Sequence, residues 1–224
     1  MTAGLKAWLW LGALALIMGA LIFGAAGDLR FWQAWAFLVV YFACSALVTQ
    51  DLIAHDPALL ERRLKGGPRH ETEPAQRLIM ILMLFGFVAL MVVPGLDRRF
   101  GWSQAPPIVA VAGDVLVAAG FFAVYRVFKA NPFASATVGV AQGQTVVSTG
   151  PYAIVRHPMY SGAFLYLSGA PLALGSYWGL AALALMLPIL IWRLVDEERV
   201  LDQRLPGYSD YKRKVRWRLL PGVY

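Results

Sequence analysis

The densest group of chemically capable side chains lies in Gly150-Pro151-Tyr152-Ala153-Ile154-Val155-Arg156-His157-Pro158-Met159-Tyr160-Ser161-Gly162. Two phenols, a guanidinium and an imidazole crowd one short stretch. Gly-Pro makes a turn, and His-Pro precedes a new apolar run in which Pro158 suits the first helical turn. The start of such a helix offers free backbone N–H groups and a positive dipole end, a seat for an anionic group. The plainer reading is an interfacial belt, where Tyr and Arg anchor a membrane helix. A second group is Arg193 followed by Asp196-Glu197-Glu198, three acids in otherwise basic surroundings. On a helix Arg193 and Glu197 share a face one turn apart. A buried guanidinium there needs a partner, and Glu197 is the expected one. The bland alternative is a charge-compensated helix end. Asp114 is an intramembrane acid and so a functional candidate, but it lies near a helix end and is read as structural. His55, His70 and His157 are widely spaced and have no cysteine companions, which argues against a metal cluster of the membrane oxygenase or desaturase kind. His55 and His70 read as solvated loop residues. Cys44 excludes an internal disulfide and, with Met80, Met83 and Met91, reads as helix packing.

The elements that hold these groups follow from composition. With 224 residues, 59% hydrophobic, 15% charged and a mean hydropathy of +0.59, the chain has more apolar surface than a soluble domain of its size can bury. The fold class is therefore all-α, a polytopic transmembrane helix bundle. Apolar segments of spanning length run at about 7–26, 32–50, 78–96, 107–128, 159–175 and 177–194, about six spans. The first resembles a signal-peptide core but has no clear cleavage site and is read as a retained helix. The fifth and sixth form a tight hairpin through Gly175-Ser176. They are antiparallel neighbours, so the end of the sixth returns to the start of the fifth and the two polar groups converge. All but three of the 20 basic residues (Arg30, Arg98 and Arg99) fall at the amino end, in the 51–77 and 126–158 loops, or in the tail. That bias places both termini in the cytoplasm. The net charge of +7 sits at the ends of apolar segments and points to anionic lipid headgroups, not nucleic acid. Residues 137–147 alternate β-branched and small residues about Gln142-Gly143 and predict a short hairpin. After Glu197 the tail has helical spacing at Val200, Leu201 and Leu205, a Pro206-Gly207 break, then a basic aromatic run to Tyr224. The whole of 1–224 reads as a single integral membrane domain, with transmembrane helices in 1–128 and a polar core region in 129–224.

One spaced combination is more specific than any of its parts. Asn131-Pro132-Phe133, the run from Gln144 to Tyr152, Arg156-His157-Pro158-Met159-Tyr160-Ser161-Gly162, Trp192-Arg193, Glu197-Glu198 and Gly207-Tyr208 with Tyr211 together resemble the isoprenylcysteine carboxyl methyltransferase family in its bacterial, integral-membrane form. The resemblance covers about the last hundred residues. It implies a membrane enzyme, in a bacterium one of the inner membrane, that uses S-adenosyl-L-methionine to methylate a lipophilic or lipidated acceptor, first of all a carboxylate. It further implies that Gln144, Val147, Gly150, Tyr152, Arg156, His157, Pro158, Tyr160 and Glu198 hold the cofactor. Arg193 and Glu197 would face the methyl-transfer centre, with Asn131 nearby. Lys214 stands where relatives often carry Arg, which puts a tail cation's role in doubt. Methyl transfer to a phospholipid amine or a thiol on the same scaffold stays open. So does a sterol-type reductase using a nicotinamide cofactor, whose tails look similar to Tyr208…Tyr211…Arg216-Trp217-Arg218-Leu219-Leu220-Pro221. A non-catalytic membrane protein is a third class.

Overall fold

The computed structural model describes residues 1–224, and its regular structure is entirely helical. Six long or membrane-length helices account for the six apolar segments: α1 (Ala3–Ala26), α2 (Trp32–His55), α4 (Pro74–Phe100), α5 (Pro107–Ala130), α6 (Pro158–Ala173) and α7 (Trp178–Arg204). Two short ones, α3 (Pro57–Leu64) and α8 (Tyr208–Lys214), lie outside them. Five of the six are long and apolar enough to cross a membrane, whereas α6 has only 16 residues. The ends follow local chemistry. Pro74, Pro107 and Pro158 open their helices at a position that needs no N–H. Asp56 caps α3 by accepting from the Leu59 N–H at 2.9 Å, and Gly27 and Gly101 close α1 and α4 in the left-handed region.

Around the bundle the helices pack in the order α1, α2, α5, α6, α7, α4 and back to α1. The closest approach is between α5 and α6. Gly113 and Gly120 on one meet Gly169 and Gly162 on the other, seven residues apart on each antiparallel helix. A Cβ added at Gly113 would stand 2.1 Å from the Ala173 nitrogen, and one at Gly120 2.5 Å from the Tyr166 nitrogen. Small residues let backbones touch where hydrocarbon outside removes any hydrophobic drive for packing. At one end the bundle is drawn tight. Gly179 lies against Pro171 and Pro94, and Gly95 against Ala25. Asp97 accepts from the Ser103 N–H and hydroxyl, both at 2.6 Å, and from the Ser176 hydroxyl at 2.5 Å, tying α4 to the α6–α7 turn. Trp32, Trp35, Trp102 and Trp178 lie exposed near this end, as interfacial anchors do. At the other, basic end a space opens between the helices.

Only 48 of the 224 residues are buried, while Leu16, Leu47 and Leu185 stay 77%, 73% and 80% exposed. A lipid-covered exterior is what makes that surface stable. The hairpin predicted at 137–147 does not form. Its one local turn is Ala141–Gln144, and its polar backbone groups pair elsewhere. The Val138 N–H donates to Glu71, and just ahead of the segment the Ala136 carbonyl accepts from Arg193. Val138 is buried and Val146 packs on the Leu205–Tyr208–Tyr211 cluster, so the branched residues anchor a loop instead of pairing strands.

Candidate active site

At the basic end a cavity of about 780 Å³ runs from the loops into the bundle. Its inner wall is apolar and comes from α1, α2 and α5, including Leu11, Val48 and Phe121. Its outer wall is polar. The predicted residues Asn131, Gln144, Val147, Tyr152, Arg156, His157, Pro158, Tyr160, Arg193 and Glu197 all line it. Gly150 and Glu198 do not. Gly150 turns the chain at φ +59 into a single 3-10 turn, Gly150–Ala153, and Glu198 stands behind the wall.

The expected convergence of the two polar groups is present. Tyr160, in the first turn of α6, donates its hydroxyl to Glu197 Oε2 at 2.5 Å. Glu198 accepts from Arg156 Nε at 2.6 Å and Arg218 Nε at 2.9 Å, and lies 3.1 Å from His157 Nε2. The apolar stretch of α7 ends at Leu194, and Glu198 lies a turn beyond it. Burial pushes its carboxyl up, but bonds from His157, Arg156 and Arg218 win and hold it well below the usual carboxylate range. Arg156 also donates to the Val215 and Arg216 carbonyls at 2.9 and 2.7 Å. The tail lies along the start of α6, with the Arg156 and His157 N–H groups donating to the Trp217 and Arg218 carbonyls, both at 2.9 Å. The N–H groups just ahead of α6 are therefore occupied by the tail.

Arg193 is not paired with Glu197. Its guanidinium donates to Glu71 Oε1 at 3.1 Å, Gln76 Oε1 at 2.9 Å and the Ala136 carbonyl at 3.1 Å. Gln76 in turn donates to Asp196 at 2.7 Å. Glu197 and Arg193 are a turn apart on one helix, but the loop carrying Glu71 closes over the guanidinium and brings a carboxylate that is itself buried. Sequence reading missed Glu71 and Gln76. The available hint was an acid beside Arg69 and His70, with a glutamine opening an apolar helix. Their partner, more than a hundred residues away, is a tertiary fact.

Two further groups face the cavity. Tyr208 is buried, and its hydroxyl has no hydrogen-bond partner. Asn131 donates to the Tyr152 hydroxyl at 2.8 Å while its own carbonyl accepts from the Phe133 N–H, which fixes that phenol. Among the other candidates, Asp114 is half-buried on α5 with one oxygen unpartnered. His55 and His70 are exposed. Met91 is in the core, while Met80 and Met83 line the cavity. No group of metal-ligating side chains is present.

Residues 108–206 match the family model described as phospholipid methyltransferase. The match takes in a little under half of the chain: α5, the polar loop, α6 and α7. It holds all the residues that carry the isoprenylcysteine-type resemblance except Gly207, Tyr208 and Tyr211, and the two agree. No curated protein matches the chain. The protein is a membrane methyltransferase acting on a lipid substrate.

Proposed function

We propose that this membrane methyltransferase moves a methyl group from S-adenosyl-L-methionine to the polar head of a lipophilic acceptor, with a carboxylate as the first choice of head. The observation that carries the reading is a single cavity whose polar wall of Tyr152, His157, Tyr160 and Glu197 continues into an apolar wall from α1 and α2. The donor set suits the cofactor. Tyr208 offers a buried hydroxyl without a partner, and a ligand bearing a carboxylate, ribose hydroxyls and ring nitrogens can satisfy it. Gln144, Val147, Tyr152, His157, Pro158 and Tyr160 would line the cofactor. Arg156 would line it with them, and Gly150 and Glu198 would shape that wall from behind.

When bound, the cofactor supplies an electrophilic methyl group on a sulfonium. The chain's own residues then have to align the acceptor and keep water out. Asn131 holds the Tyr152 phenol, Tyr160 holds Glu197, and Glu71 with Gln76 holds Arg193. A carboxylate is already nucleophilic and needs only a cation to place it. Arg156 and Arg193 line the cavity with carboxylate partners behind them, while Arg63 lines it with none, which favours an anionic head. A second reading has an amine or thiol acceptor. It is favoured by Glu197, whose Oε1 makes no hydrogen bond while Tyr160 fixes Oε2, so that Glu197 can take the proton such an acceptor must lose.

Thermal melting of the full-length protein in a neutral detergent separates the classes. S-adenosylhomocysteine should raise the Tm and NADPH should not. Tyr208→Phe should weaken S-adenosylhomocysteine binding by about 3- to 10-fold, the value of one hydrogen bond, with the ligand-free Tm unchanged because the hydroxyl has no partner to lose. A shift with NADPH alone would replace this reading with a reductase. A shift with neither ligand would replace it with a non-catalytic protein. Labelled methyl transfer into a membrane lipid extract then identifies the acceptor.

A further inference from the structure

Four guanidiniums surround the site, those of Arg63, Arg156, Arg193 and Arg218, and three of them are held by carboxylates. Arg156 and Arg218 bind Glu198, and Arg193 binds Glu71. Arg63 is the exception. It sits on the last turn of α3, a short helix that Leu59 and Leu60 bury against the ends of α1 and α2. Its side chain lines the cavity and stacks over the Phe128 ring with 5.2 Å from guanidinium carbon to centroid. Only Nη1 is engaged, with the Ser135 carbonyl at 2.7 Å and Met159 Sδ at 3.7 Å. Nε and Nη2 make no hydrogen bond to the protein, and no carboxylate pairs with this cation. Tyr152, Tyr160, Tyr166 and Arg193 line the same cavity.

We propose that Arg63 is the anion anchor of the acceptor site, taking the carboxylate or phosphate of a lipophilic molecule whose chain lies against α1 and α2. The position supports this. Arg63 lies over Phe128 and lines the cavity together with the apolar Leu52 and Leu60 and the polar Tyr152 and Tyr160. The stacked, half-engaged guanidinium keeps a planar edge with two adjacent donors, the geometry that grips a carboxylate or phosphate in two places. Arg193, by contrast, is already bound on both terminal nitrogens. Its role is to fix α7 and the loop over it, and the charge that meets the acceptor comes from Arg63. This assignment deepens the methyltransferase reading but is testable apart from it.

The probes are dodecanoate, dodecyl phosphate and dodecyltrimethylammonium at equal mole fraction in a maltoside micelle holding the full-length protein, with acetate as a chainless control. Titration calorimetry should show the two anionic amphiphiles binding about tenfold or more tighter than the cationic one, as expected for a two-pronged charged contact. Arg63→Gln should reduce that preference to about twofold or less, and Arg63→Lys should recover part of it, because charge returns without the fork. S-adenosylhomocysteine affinity should be unchanged in both variants. If Arg63→Gln does not fold, the loss in Arg63→Lys relative to wild type carries the test. An anion preference that survives both substitutions would overturn the assignment. So would a tenfold loss of S-adenosylhomocysteine affinity with the preference intact, since Arg63 would then serve the cofactor, and so would acetate binding as well as dodecanoate. Anion preference lost in the variants, with no S-adenosylhomocysteine binding in wild type, would support the anchor while overturning the methyl donor.

Discussion

Glu198 shows how much a single side chain does here without touching the cavity. It gathers Arg156, His157 and Arg218 at 2.6–3.1 Å, and through them fixes the tail along the first turn of α6. Its carboxyl is held well below the usual range, so it favours the folded state most when ionised. The unfolded carboxyl titrates near about 4.3. Above that pH the contribution is fully present, and it is lost as the pH falls through the depressed native value. Tail docking should therefore not change between pH 8 and pH 5 on this account, and should weaken in stronger acid. Limited proteolysis at Lys212–Arg218, followed against pH, measures it. Glu198→Gln removes the charge from buried cations and should cost about 3–5 kcal/mol of stability, with cleavage of the tail already at pH 7. A tail equally protected in that variant would show that Val215–Tyr224 is held by its backbone hydrogen bonds and packing without the Glu198 charge.

Among the elements, the α5–α6 pair is the most demanding. Gly113, Gly120, Gly162 and Gly169 bring two backbones into contact along its length, and α6, with only 16 residues, has no other extensive neighbour. Gly120→Ala would set a methyl group 2.5 Å from the Tyr166 nitrogen and 2.7 Å from the Gly162 carbonyl oxygen. Neither is a flexible side chain, so the helices must separate. The expected cost is about 1–3 kcal/mol, seen as a lower Tm and weaker S-adenosylhomocysteine binding, because α6 carries His157 and Tyr160 at its start. Gly19→Ala is the control: nothing lies within 4 Å of the added carbon, and its Tm should hold or rise. Equal behaviour of the two variants would remove the seam as the element that positions the site.

For the whole molecule, the bundle is tied at the Asp97 end and open at the basic end, and that asymmetry lets a lipid-embedded protein keep an internal cavity. Both termini lie at the open end: Ala7 packs on Leu59 and Leu60, and the tail on α6. We expect the basic end to be cytoplasmic, by the distribution of Lys and Arg. Thr72 and Gln104 are exposed at opposite ends. In a Cys44→Ser background, Gln104→Cys should react with a membrane-impermeant thiol reagent in intact cells, and Thr72→Cys only after permeabilisation. The reverse pattern would turn the protein over in the membrane.

The sequence alone determined the six apolar helices, the α6–α7 hairpin and the meeting of Tyr160 and His157 with Glu197 and Glu198. Each follows from a local signal: apolar length, Gly175-Ser176, or Pro158 at a helix start, and antiparallel neighbours must bring their ends together. The family-matched stretch carried the catalytic class for the same reason, since its polar residues lie within reach of one another along the chain. Only the tertiary structure decided the partners of the cations. Arg193 pairs with Glu71 instead of Glu197, and Arg63 is left with no carboxylate, because a charge is satisfied by whichever group the packing brings within a few ångströms. It also decided that 137–147 would not pair as strands, since the Val138 N–H goes to Glu71 and Val146 packs on the Leu205–Tyr208–Tyr211 cluster. A one-dimensional pattern records which residues are polar. Which of them are already occupied, and which are free for a ligand, depends on contacts between segments far apart in the chain, 122 residues for Arg193 and Glu71.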